Sequence, residues 1–98
     1  MHARVTTLQM DPSTLDEVTA RLESEDVPAF KRLDGFKGIT VLGDRQSGKA
    51  IAVTFWESEE SMRESEEAVK GARQRAAETG RAADPQVERF EVILDAMA

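Results

Sequence analysis

The segment Lys49 to Trp56, "KAIAVTFW", is a run of β-branched, aromatic and small side chains set between a glycine and the charged stretch "ESEE". Such a run reads as a strand. Side chains alternate across a strand, so Ile51, Val53 and Phe55 fall on one face and Ala52, Thr54 and Trp56 on the other. Both faces are apolar. The preceding segment, Phe36 to Gly43 ("FKGITVLG"), repeats the pattern, with Ile39 and Val41 opposite Phe36 and Leu42. The link "DRQS" with Gly48 joins the two as a hairpin, the glycine supplying a positive φ at little cost. A sheet made of these strands needs a cover on each side.

The remaining patterns say what one cover is. Ala3 to Met10 ("ARVTTLQM") reads as a first strand ended by Asp11-Pro12. A helix follows, capped by Asp11 or by Ser13, with Leu15, Val18 and Leu22 at amphipathic spacing. Val27-Pro28 is expected to interrupt it, and Pro28 to Leu33 to form a second, short helix stopped at Asp34-Gly35. Ser58 caps a long helix with Met62, Val69, Ala72 and Ala76 on its apolar stripe, ended by Gly80. Glu59 with Arg63, and Glu66 with Lys70, are four-apart pairs expected on its outside, and Lys70, Arg73 and Arg75 gather late in it as the macrodipole prefers. Gln86 to Leu94 ("QVERFEVIL") is the last strand. The order β-α-β-β-α-β predicts an α+β, ferredoxin-like fold, a four-stranded antiparallel sheet with helices on one face. At 98 residues the chain is expected to be a single domain, residues 1–98. Helices leave the second face bare, and a second copy of the sheet is its simplest cover. A homodimer with Ile51, Val53 and Phe55 in the interface follows.

Composition removes several function classes. The net charge of −6 argues against nucleic acid and anionic membranes as partners. No apolar run approaches the roughly 20 residues of a membrane span, and "MHARVTTLQM" lacks a signal peptide's features, so a cytoplasmic protein is expected. The sequence has no Cys, and its only histidine is His2, in a terminal stretch expected to be mobile; no metal site is predicted. Glu57, Glu59, Glu60, Glu64, Glu66 and Glu67 spread around a helix as a solvated face. Met10, Met62 and Met97 read as packing residues. Trp56 stays open between two roles, an anchor of the sheet on the next helix or a wall of a pocket. Small residues on both sides of it, Ala52, Thr54, Gly71, Ala72 and Ala76, suit a tight contact and a cavity equally.

The strand-end Trp56 followed by "ESEESM", the step "LDGFKG" from Leu33 to Gly38, and "VLGDRQSGK" leading into "AIAVTFW" together resemble the antibiotic biosynthesis monooxygenase domain family, within the dimeric α+β barrel superfamily. The likeness covers nearly the whole chain. It implies sheets that pair in a homodimeric α+β barrel. Members include cofactor-independent oxygenases of aromatic polyketides and haem-degrading monooxygenases. The haem-degrading branch uses an Asn on the first strand, a Trp ending the third and a His on the long helix. Only Trp56 matches, this chain has no Asn, and Glu66 sits about where the His would fall, so haem degradation is not expected. The polyketide branch uses Asn, Trp and Tyr, and again only Trp56 is present. Two readings result. One is a cofactor-independent monooxygenase-like protein for a small aromatic or quinol substrate, with no cofactor. In it Trp56 stacks on the substrate, Thr54, Thr40 or Gln9 hydrogen-bonds it, and Arg4 is an oxyanion partner. The other is a non-catalytic dimeric domain for small-ligand binding or assembly.

Overall fold

The structure, a computed structural model, describes residues 1–97. Strand β1 (His2–Gln9) is followed by a 3-10 turn (Pro12–Thr14), helix α1 (Leu15–Arg21), a π-helical turn (Leu22–Asp26) and helix α2 (Val27–Phe30). Strands β2 (Phe36–Gly43) and β3 (Lys49–Trp56), helices α3 (Glu59–Glu64) and α4 (Glu66–Thr79), and strand β4 (Gln86–Glu91) complete the order. The four strands form one antiparallel sheet in the order β2-β3-β1-β4. The expected fold class and both strands of the hairpin are present as read.

In the hairpin, Gly48 takes φ +82°. Its N–H donates to the Asp44 carbonyl at 2.8 Å, and its own carbonyl accepts from Met10 at 3.0 Å. The turn therefore ties β3 to the end of β1. At the other end of β3, the Ser58 hydroxyl accepts from the Ser61 N–H at 3.1 Å while the Ser61 hydroxyl accepts from the Ser58 N–H at 3.1 Å, a reciprocal cap.

Register fixes the two faces. β1 pairs with β3 from His2–Trp56 to Gln9–Lys49, so Arg4, Thr6 and Leu8 share a face with Ala50, Ala52, Thr54 and Trp56. Helices cover that face, and its residues are mostly buried. Two cores lie under them. Leu8, Met10, Leu15, Val18 and Ala50 make one; Phe30, Trp56, Met62, Val69 and Ala72 make the other. Met10 and Met62 fill core space as expected, whereas Met97 is exposed. The opposite face carries Ile51, Val53 and Phe55, half-buried, with Leu42 at 54% exposure and Phe90 at 51%.

Five local expectations are corrected. A bulge at Lys37 separates the pairs Phe36–Trp56 and Gly38–Phe55, which moves Phe36 to the helix-covered face beside Ile39 and Val41. Val27-Pro28 does not interrupt the first helical run; the Val27 N–H donates to the Leu22 carbonyl across a wide π turn, and the run ends at Phe30, short of Leu33. The long helix is broken at Ser65. Arg4 Nη2 and the Ser65 hydroxyl both donate to the Met62 carbonyl at 2.6 Å, the acceptor an unbroken helix would offer to Glu66 N–H. β4 stops at Glu91 rather than Leu94, leaving Ile93 and Leu94 exposed. His2, expected in a mobile end, is the first residue of β1 and pairs with both Trp56 and Glu91.

Candidate functional site

Between the covered sheet face and the helices lies a cavity of about 70 Å³. Thr6, Ala52 and Thr54 form its sheet side, and Ala72, Arg73 and Ala76 its α4 side. Leu22 and Phe30, from the arm running α1 to α2, also line it. The space exists because several facing positions, Ala50 and Ala52 on β3 and Ala72 and Ala76 on α4, carry only a methyl group. Gly71, grouped with them in the sequence, is not part of the lining. The walls are apolar apart from three threonines and Arg73, and no Asp, Glu or His lines the cavity. Benzene occupies an apolar cavity of roughly 150 Å³. A ring therefore needs the lining side chains or the arm to give way. That arm is fastened to α4 by Arg75, whose Nη2 donates to Asp26 at 2.7 Å.

Trp56 stands behind this cavity. It is 0% exposed and absent from the lining. Its Nε1–H donates to the Thr54 hydroxyl at 3.0 Å, the Phe36 ring meets it edge-on at 5.3 Å, and the Arg4 guanidinium lies 5.7 Å from its ring centre. Thr54 is thus the residue through which Trp56 and the cavity communicate. The other sequence candidates are dispersed. Thr40 pairs with Val53 and Gln9 with Lys49, both on the face away from the cavity, and the Gln9 amide is engaged with the Ser47 carbonyl at 2.6 Å.

Arg4 faces the helices but does not line the cavity. At 1% exposure its Nη2 donates to the Met62 carbonyl, to Ser65 Oγ at 3.2 Å and to Glu66 at 2.8 Å. Glu66 is turned inward rather than toward Lys70. Arg89 also holds it at 2.8 Å, and Arg73 reaches it at 3.5 Å. The expected outer pair of Glu59 and Arg63 does form, at 2.9 Å. Burial alone would raise the Glu66 carboxyl; the Arg89 hydrogen bond with the charges of Arg4, Arg89 and Arg73 outweighs it and holds the group below its ordinary value. Burial lowers the Arg4 pKa; Glu66 opposes that shift, and the like charges of Arg89 and Arg73 add to it. Sequence reading assigned Arg73 only to the basic end of the helix. Its position four residues past Val69 and three before Ala76 is the signal that places it on the same face.

A separate open groove beside β1 and β4 is lined by His2, Met62, Arg63, Glu66, Arg89 and Phe90, and the His2 Nδ1 there is buried without a partner among the described residues. No group of three or more His, Asp or Glu side chains is arranged to hold a metal among the described residues. No helix among them is long and apolar enough to cross a membrane.

The covered sheet and its helices define a ferredoxin-like α+β protein. No family model matches the sequence. The uncharacterized protein Rv2558 of Mycobacterium tuberculosis is 38% identical over 94 residues, a match covering 96% of this chain and 39% of that protein. The chain thus spans about two fifths of the length of the curated relatives it matches. Among solved structures, the monooxygenase from the ActVA-Orf6 gene of Streptomyces coelicolor, in complex with nanaomycin D, superposes with TM-score 0.81 at 16% identity, over 99% of this chain and 91% of that one. SnoaB, a cofactor-independent oxygenase from Streptomyces nogalater, gives 0.66 at 19% identity, over 96% and 94%. The haem degrader MhuD of M. tuberculosis, with two haems bound, gives 0.71 at 22% identity, over 99% and 100%. The resemblance to antibiotic biosynthesis monooxygenases therefore holds at the level of the fold. Haem does not fit the cavity described above: its lining contains no His, Cys or Tyr to ligate iron, and about 70 Å³ is far below a macrocycle's bulk.

Proposed function

We propose that this chain is a monooxygenase-like domain that takes a small aromatic or quinol substrate into the cavity under the helices and promotes its oxygenation without a bound cofactor. The observation that carries this is the character of the cavity: beneath the helices, apolar, and lined by threonines and one arginine but no carboxylate or imidazole residue. A site of that kind supplies desolvation and orientation, which is what a substrate able to give electrons to oxygen requires. For a phenol oxidised at a ring C–H, one oxygen atom becomes the new carbonyl and the other leaves as water. The substrate then supplies all four electrons. Cofactor-independent oxygenation in SnoaB, on the same fold, supports the reading.

The second reading, a non-catalytic dimeric domain that binds a small ligand or serves assembly, is favoured by one specific observation. Trp56 is fully buried, with its Nε1 committed to Thr54, so it is not free to stack on a substrate. Oxygen uptake separates the two. With a chelator present and naphthols or hydroquinones as substrates, oxygenation predicts uptake above the spontaneous rate and label from ¹⁸O₂ in the product. Binding without uptake leaves the second reading in its ligand-binding form, and absence of binding leaves only its assembly form. In either case we take the chain as one domain that pairs with a second copy through Ile51, Val53 and Phe55.

A further inference from the structure

The charge around Glu66 is out of balance. Arg4, Arg73 and Arg89 share this one carboxylate. Arg4 and Arg89 each take an oxygen at 2.8 Å, while Arg73 is left with a contact at 3.5 Å, the outer limit of a hydrogen bond. Three donors in this cluster, Arg4 Nε, Arg4 Nη1 and Arg73 Nε, are buried and find no acceptor among the described residues. A buried donor without an acceptor is costly, and more so when it is charged. By distance, Glu66 pairs closely with Arg4 and Arg89 and only loosely with Arg73.

Arg73 is also the charged residue that lines the cavity. Thr54 lines it too, and its oxygen accepts from Trp56 Nε1, which leaves its hydroxyl proton to donate elsewhere. We propose that the cavity takes a ligand carrying an anionic oxygen, a carboxylate or a phenolate, and that Arg73 is the specificity-determining residue that binds it. The inference rests on the cavity being the ligand site and adds the charge of what enters. A charged acceptor suits this position because a guanidinium in an apolar, poorly hydrated wall gains more from an ion than from a neutral dipole.

Calorimetric titration of the full chain with matched probes tests it. Benzoate against benzamide isolates a carboxylate; pentafluorophenol, ionised at neutral pH, against phenol isolates a phenolate. At least one anion should bind about tenfold or more tighter than its neutral counterpart. The member of the two pairs that shows the preference assigns the chemistry. Arg73→Met should abolish the preference while leaving the neutral probe's affinity within about twofold, and Arg73→Lys should restore part of it. Were Arg73 only a third partner for Glu66, Arg73→Met would weaken both probes equally or neither. Equal affinity for anion and neutral probe in the unaltered protein overturns the inference with no variant needed, and leaves the cavity as a neutral-ligand site. No binding of any probe overturns the cavity reading and this one together.

Discussion

Trp56 shows how one side chain can decide between packing and chemistry. Its ring is enclosed by Phe36, Met62 and Arg4, and its only polar atom is satisfied by Thr54. Trp56→Ala should therefore cost about 3–5 kcal/mol, as a large core aromatic does, read from denaturant midpoints. Trp56→Phe keeps the edge contact with Phe36 but removes the donor to Thr54, and should cost about 1 kcal/mol. Glu66 gives the second residue-scale expectation. Its carboxyl is held below the ordinary value of 4.5 in the folded chain, so the stability it contributes is complete above that value and is lost as pH falls through the lowered one. Asp11, held low by the Ser13 hydroxyl and amide, and Asp44, held low by the Gln46 and Ser47 amides, add slope in the same window from the surface. Comparing the parent with Glu66→Gln between pH 6 and 3 isolates the buried part. The variant should lose less stability on acidification, and parallel curves would contradict the arginine cluster's role.

At the scale of elements, the hairpin is the most exacting joint. A Cβ on Gly48 would collide with the Met10 carbonyl, and φ +82° is costly for any side chain. Gly48→Ala should lower stability by about 1–3 kcal/mol or more and unpair the end of β1 first, visible as lost hydrogen-exchange protection at Met10. This joint was legible because a glycine between two apolar runs has one economical use. The Ser58 cap and the alternation of β3 were legible for the same reason: local chemistry determines them. The π turn, the bulge at Lys37 and the break at Ser65 were not. Each depends on a partner remote in sequence, as when Arg4 takes the Met62 carbonyl across 58 positions. The site divides likewise. Thr54 and the small residues around the cavity follow from strand parity and helix spacing, whereas Gln9 and Thr40 were assigned to it without a register and fall on the opposite face. Arg73 was missed because basic residues late in a helix already have an explanation in the helix dipole.

For the whole molecule, the uncovered sheet face is the feature that a lone chain does not resolve. Ile51, Val53 and Phe55 lie side by side with the exposed Leu42 and Phe90, and Ala3 is buried between Phe55 and Phe90. If a second copy covers this face, sedimentation at micromolar concentration should give about twice the chain mass. Phe55→Asp should dissociate or unfold it, because an unpaired charge buried there costs several kcal/mol. The cavity lies on the other side of the sheet, so ligand binding and dimerisation are predicted to be separable. The most direct test of the account is methyl-resolved NMR of the alanine- and valine-labelled protein during titration with a small hydroxylated aromatic. Binding in the cavity predicts shifts at Ala52, Val69, Ala72 and Ala76 with Val53 unmoved. Shifts confined to Val53 and its face, or no shifts at saturating ligand, would contradict it.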